Sequence, residues 1–169
     1  SYDIDVVVRP THFAQASDIL FDEGWSSSTG ESRMCIAARA RDLRAMNFFK
    51  GHFGDVDLHQ LAYRHGPQTH DLDATLWDTS HAASFFAGPV RVPSATDRIA
   101  LAICHSGREA HTHSDWLIDI AQLLLDSTVD WRRLAETLSR AQAEIPAQVA
   151  FGYLHHHIGF DHPSEFISQ

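Results

Sequence analysis

The opening residues Ser1-Tyr2-Asp3-Ile4-Asp5-Val6-Val7-Val8 decide how this chain is read. Ile4 and Val6 to Val8 are β-branched and favour an extended strand. Side chains two apart in a strand emerge on one face, so Asp3 and Asp5 point the same way. Neighbouring carboxylates repel each other. Such a pair persists at a solvated strand edge or around a hard cation, and carboxylate oxygens suit magnesium. A lone D-x-D more often marks an exposed strand start, so a second stretch has to carry the reading further.

That stretch is Gly54-Asp55-Val56-Asp57-Leu58-His59-Gln60-Leu61. Val56 and Leu58 alternate with Asp55, Asp57 and His59, the pattern of a strand with one apolar and one polar face. Asp57 therefore offers a third carboxylate from a second strand, with Asp55 and His59 on its face. His59 either contacts substrate or satisfies the sheet edge. An acidic pair on one strand beside an apolar-Asp-apolar triplet on another is a layout that holds two metal ions for phosphoryl or nucleotidyl transfer. On these residues the chain resembles the polymerase-β-like nucleotidyltransferase superfamily. Within it, the chain is most similar to the uncharacterised nucleotidyltransferase family with Ser-Asp-Ile-Asp-Leu-Leu-Val-Arg-like and Val-Asp-Leu-His-Trp-like strands.

With 169 residues, 44% of them hydrophobic, the chain is long enough to bury a core as one compact domain or two small lobes. A formal charge of −9 and a pI near 5.7 give no global basic footprint for nucleic acid. No long apolar run and no basic-then-apolar leader is evident, so a soluble protein without a membrane span is expected. Cys35 and Cys104 show no C-x-x-C spacing, and a reducing, cytoplasmic setting is the default expectation.

After the first strand, Pro10 or Thr11 opens a helix whose apolar positions Phe13, Ala16, Ile19 and Leu20 run up to a stop at Gly24. Ser26 to Gly30 reads as a polar turn. Met34 to Ala38 and Leu43 to Phe49 read as two further strands that feed into the Asp57 strand. Tyr63 to Gly88 reads as an irregular connection with buried patches at Leu76, Trp77, Phe85 and Phe86, and Val90 to Pro93 as a short strand. Ser94 and Asp97 form a capping box, followed by helices at about 95–107, 114–126, 130–143 and 145–158. The expected fold class is thus α+β. A small mixed β-sheet lobe with a flanking helix occupies residues 1–93, and an all-helical lobe occupies residues 94–169.

The helical half extends the resemblance over nearly the whole chain. The family follows its first lobe with a His-rich helix, a Trp-Leu-x-Asp-like helix and an Asp-Trp helix start. This chain has His105 with His111, then Trp116-Leu117-Ile118-Asp119-Ile120-Ala121, then Val129-Asp130-Trp131. Superfamily enzymes also place a Gly-Ser turn upstream of the D-x-D strand, where backbone N–H groups hold phosphates. Only Ser1 and Tyr2 precede Asp3 here. The expectation is either a piece of a longer chain or a protein inactive alone.

The resemblance implies transfer of a nucleoside monophosphate from a nucleoside triphosphate to a hydroxyl. Asp3, Asp5 and Asp57 are the implied catalytic residues and the ligands of Mg2+ or Mn2+, with Asp57 also a general base. Removing one of these crowded charges would then relieve repulsion in the metal-free protein. Lys50, Arg39 and Arg41 are candidate phosphate contacts alongside His59, although Lys and Arg at strand ends are more often solvated. The acceptor stays open among a protein side chain, a sugar, a small molecule and an RNA end. Two other readings stand beside this one. The first is a non-catalytic nucleotidyltransferase-like module serving a protein partner. The second is a metal-dependent phosphohydrolase using His105, His111, His113, Asp115 and Asp119, whose loose spacing favours helix caps instead. His155, His156 and His157 fan around a helix at about 100° per residue and cannot all face one ion.

Overall fold

The computed structural model describes residues 4–63, 69, 71–86, 88–106 and 115–160. The chain forms two compact units, Ser1–His65 and Gly66–Gln169. The mixed α/β fold class is as expected, with the longer helices in the C-terminal half. The units part upstream of Pro93, where the sequence changes from alternating to helical periodicity. α3 (Leu72–Thr79) and the two-stranded hairpin β5–β6 (His81–Phe85 and Gly88–Val92) therefore group with the helices.

In the first unit, β1 (Ile4–Val7), β2 (Ser26–Ser27), β3 (Ala45–Lys50) and β4 (Gly54–His59) build a sheet of order β1-β4-β3-β2. β1 runs parallel to β4, and the other two pairings are antiparallel. The alternation of β4 sends Leu58 into a core with Phe13, Ile36, Met46 and Phe48, all nearly sealed from solvent. Burying each such side chain is worth about 1.5–3 kcal/mol. Phe21 packs edge-on against Phe48, with ring centroids 5.5 Å apart. The helix expected after Pro10 is α1 (Phe13–Asp22), preceded by a 3-10 turn at Pro10–His12. Gly24 follows it with φ +83°, a left-handed conformation that glycine adopts without steric cost.

Met34 to Ala38 is not a strand; it lies within α2 (Arg33–Arg39). The Ser32 hydroxyl accepts from the Cys35 amide at 3.3 Å and caps the helix, and Met, Ala and Arg are good helix formers. Only Ile36 of this segment reaches the core, whereas Met34 is 82% exposed. One anchored apolar residue in seven cannot reveal a period in the sequence. β3 begins slightly later than Leu43 and extends to Lys50.

The second unit also departs from an irregular connection. Leu72 and Leu76, four apart and both buried, anchor α3, and β5 pairs with β6 from His81↔Val92 to Phe85↔Gly88. The Asp- and Thr-rich surface of this short helix dilutes its periodicity. The helices that follow are α4 (Ala95–Ser106), α5 (Asp115–Asp126), α6 (Trp131–Arg140) and α7 (Glu144–Ile158). Ser94 caps α4 as expected, accepting from the Asp97 amide at 3.2 Å. The Asp97 carboxylate, 3% exposed, also pairs with Arg133 Nη1 at 2.5 Å and accepts from the Thr79 hydroxyl at 2.6 Å. One buried acid thereby ties α3, α4 and α6 together. No described helix is long and apolar enough to cross a membrane.

Candidate active site

The sheet of the first unit has one face against α1 and α2 and another that carries polar side chains. On β4 the alternation that buries Leu58 places Asp55, Asp57 and His59 on the second face. The parallel register sets Asp5 beside Asp57 and Val7 beside His59. The antiparallel register sets Asn47 beside Asp57 on the other side. Asp57 is thus flanked by a carboxylate on β1 and an amide on β3. Side chains of directly opposed residues lie about 4.5–5.5 Å apart at Cβ, within reach of one another.

Two carboxylates abreast need a positive charge between them, and His59 supplies it. Its Nε2 lies 3.0 Å from Asp5 Oδ1 and 2.9 Å from Asp57 Oδ2. The imidazole is 5% exposed, Asp57 is 14% exposed, and Asp5 faces solvent at 59%. Burial of the ring opposes its charged form, but the hydrogen bonds to Asp5 and Asp57, with the charges of both, outweigh that cost. The His59 pKa is accordingly raised to about 9. Without a bound ion the ring is thus held in its charged form, its Nε2–H shared between the two acids.

The same atoms form the group of close His and carboxylate ligand atoms found among the described residues, all within 4.8 Å of one another. Asp57 Oδ1 is buried and has no hydrogen-bond partner among those residues. A buried carboxylate oxygen without a donor is costly in water-excluded surroundings and suits a cation. The donor set therefore fits a divalent ion. Asp55 shares the face but lies outside the group. Asp3 falls outside the described residues.

Lys50 ends β3 and its ammonium donates to the Glu23 carbonyl at the end of α1. Arg39 pairs with the Glu31 carboxylate, and Arg41 is exposed in the turn after α2. Arg39, Glu31, Ser28 and Thr29, with Ala45 and Asn47 of β3, border an open cleft of about 490 Å³. Asn47 thus links the cleft to Asp57 across one strand spacing. Sequence reasoning passed over Asn47, whose only signal is its place two residues before Phe49 in an alternating strand. Of the helical candidates, His111 and His113 lie outside the described residues, and His105, Asp115 and Asp119 are exposed on α4 and α5.

A family model described as an uncharacterised nucleotidyltransferase matches residues 1–159. The chain belongs to this nucleotidyltransferase family. Comparison with curated proteins and with solved structures yields no match. The match spans the whole first unit and most of the second.

Proposed function

We propose that the protein moves a nucleoside monophosphate from a nucleoside triphosphate to a hydroxyl acceptor, using Mg2+ or Mn2+ held by Asp5 and Asp57 together with Asp3. The observation that carries this reading is the side-by-side placement of Asp5 and Asp57 on one sheet face in a member of a nucleotidyltransferase family. A bound divalent ion supplies charge neutralisation for the triphosphate and lowers the pKa of the attacking hydroxyl.

The chain's own residues divide the remaining work by exposure. Asp5, on the outer strand and open to solvent, faces the side from which a triphosphate can enter. Asp57 is deeper and stands between Asp5 and the cleft bordered by Asn47. An acceptor seated over β3 brings its hydroxyl to Asp57, which takes the proton as general base. The acceptor oxygen bonds to the α-phosphorus, the bond from that phosphorus to the α,β-bridging oxygen breaks, and pyrophosphate leaves. The cleft offers hydroxyls, an amide and a neutralised Arg39–Glu31 pair, which suits a polar acceptor of low net charge.

Incubating the protein with each labelled nucleoside triphosphate and Mg2+ or Mn2+, alone and with cell-extract fractions as acceptor source, tests the proposal. Label should pass to a product with the wild type and fail to pass with Asp57→Asn. Transfer that survives Asp57→Asn at the wild-type rate would sink it.

A further inference from the structure

We infer that His59 is itself a ligand of the ion held at Asp5 and Asp57, so that the site selects a divalent first-row transition ion over Mg2+. The inference rests on the metal-site reading above and assigns a role that three carboxylates alone would not need.

The geometry is the first support. An octahedral ion with bonds of about 2.0–2.2 Å, the range of first-row transition ions to nitrogen and oxygen, sets adjacent ligand atoms about 2.8–3.1 Å apart, the bond length times the square root of two. His59 Nε2 stands 3.0 Å from Asp5 Oδ1 and 2.9 Å from Asp57 Oδ2. Both separations match edges of such a polyhedron, so an ion that displaces the Nε2 proton to solvent can meet all three atoms with little movement of the chain. A histidine that merely finished a sheet face would satisfy one neighbour; this nitrogen is shared between the two acids.

The second support is how firmly the backbone at His59 is placed. His59 closes β4, and its carbonyl accepts from the Val8 amide at 2.8 Å. The next residue, Gln60, is buried: its amide donates to the Arg44 carbonyl at 2.9 Å and its side chain to the Ala40 carbonyl at 2.6 Å. These bonds pin the backbone on both sides of His59 and so hold the root of the ring beside the carboxylates. The orphaned, buried Asp57 Oδ1 is the third support, because it adds an oxygen that nothing described satisfies.

Ligand chemistry then sets the selectivity. Mg2+ favours oxygen and keeps its waters, whereas imidazole nitrogen suits first-row transition ions. Two carboxylates and one imidazole form a mixed set that Mn2+ and the ions after it accept better than Mg2+ does.

Pulsed electron paramagnetic resonance of substoichiometric Mn2+ on the whole protein, with no nucleotide added, tests this without reference to activity. The expected wild-type result is a nitrogen coupling that changes when the histidines carry nitrogen-15. His59→Gln should lose the coupling, with Mn2+ affinity reduced about tenfold and Mg2+ affinity changed by less than about threefold. Mn2+ that binds without nitrogen coupling overturns the His59 assignment and leaves the carboxylate site standing. Coupling that persists in His59→Gln overturns it as well, since another histidine must then be the source. Failure of Mn2+ to bind, or equal binding to Asp57→Asn, overturns the metal-site reading itself. Should His59→Gln not fold, the wild type still decides: coupling must be present, must respond to the isotope and must vanish in Asp57→Asn.

Discussion

Asp5 and Asp57 stand opposite each other in the parallel pairing of β1 with β4, and one nitrogen, His59 Nε2, bonds to both at 3.0 and 2.9 Å. The two acids are therefore already compensated without metal, which reverses the effect expected from the crowding of charge alone. Neutralising either one strips a partner from a buried imidazolium and does not relieve repulsion.

Asp57→Asn should accordingly abolish transfer and also lower stability by about 1–3 kcal/mol, the cost of weakening a charge-assisted bond in a largely buried setting. Asp5→Asn should abolish transfer with a loss of at most about 1 kcal/mol, because Asp5 is mostly exposed. Urea titrations of the two variants beside the wild type check the order. Equal stability losses would show that solvent does not screen the Asp5 contact.

Stability of the metal-free protein should fall in alkali through His59. Its folded pKa, about 9, lies above the ordinary value of 6.5, so the folded state binds the proton more tightly. The contribution is complete below about pH 6.5 and is lost as pH rises through about 9. Allowing for the exposure of Asp5, a loss of about 1–3 kcal/mol between pH 7 and pH 10 is expected. Thermal melts across that range should show the decline in wild type and a flatter profile in His59→Gln.

In the helical unit, Asp97→Ala should cost about 3–5 kcal/mol, because Arg133 is then left half buried without its counter-charge and the Ser94 and Thr79 hydroxyls lose an acceptor. Denaturant unfolding followed by far-ultraviolet circular dichroism reads this directly. A loss below about 1 kcal/mol would mean that water replaces the carboxylate.

Gly54→Ala tests the hairpin that delivers Asp57. A Cβ there would lie 2.5 Å from the Lys50 carbonyl oxygen and 3.1 Å from the Trp25 ring, so backbone must shift. A destabilisation of about 1–3 kcal/mol is expected. Weakened Mn2+ binding should accompany it, measurable by titration.

The strand at Gly54–His59 is legible in the sequence because alternation fixes two things at once: Leu58 in the core and Asp57 with His59 on the opposite face. The helices after Pro93 are legible for a similar reason, since each spans several turns with a repeated apolar stripe. α2 and α3 are not, because seven and eight residues carrying one or two anchors hold too little periodicity. Alternation also fixes faces without fixing neighbours. That Asp57, and not Asp55, stands opposite Asp5 is a property of register, which the two strands settle only on pairing. The Arg133–Asp97 pair, 36 residues apart, leaves no local mark either.

Among the described residues β1 lies at the outer edge of its sheet, with β4 as its one partner, and Ile4 and Val6 on it are 50% and 37% exposed. Little apolar burial holds this strand, yet it brings one of the two acids across about fifty residues of chain. Docking of the strand and assembly of the site are consequently one equilibrium seen from two ends. Whatever occupies the acids fastens β1 in place, and whatever loosens β1 releases the occupant. Slowed amide exchange at Val6 and Val8 on adding a ligand would register site occupancy as mechanical tightening of the sheet's edge.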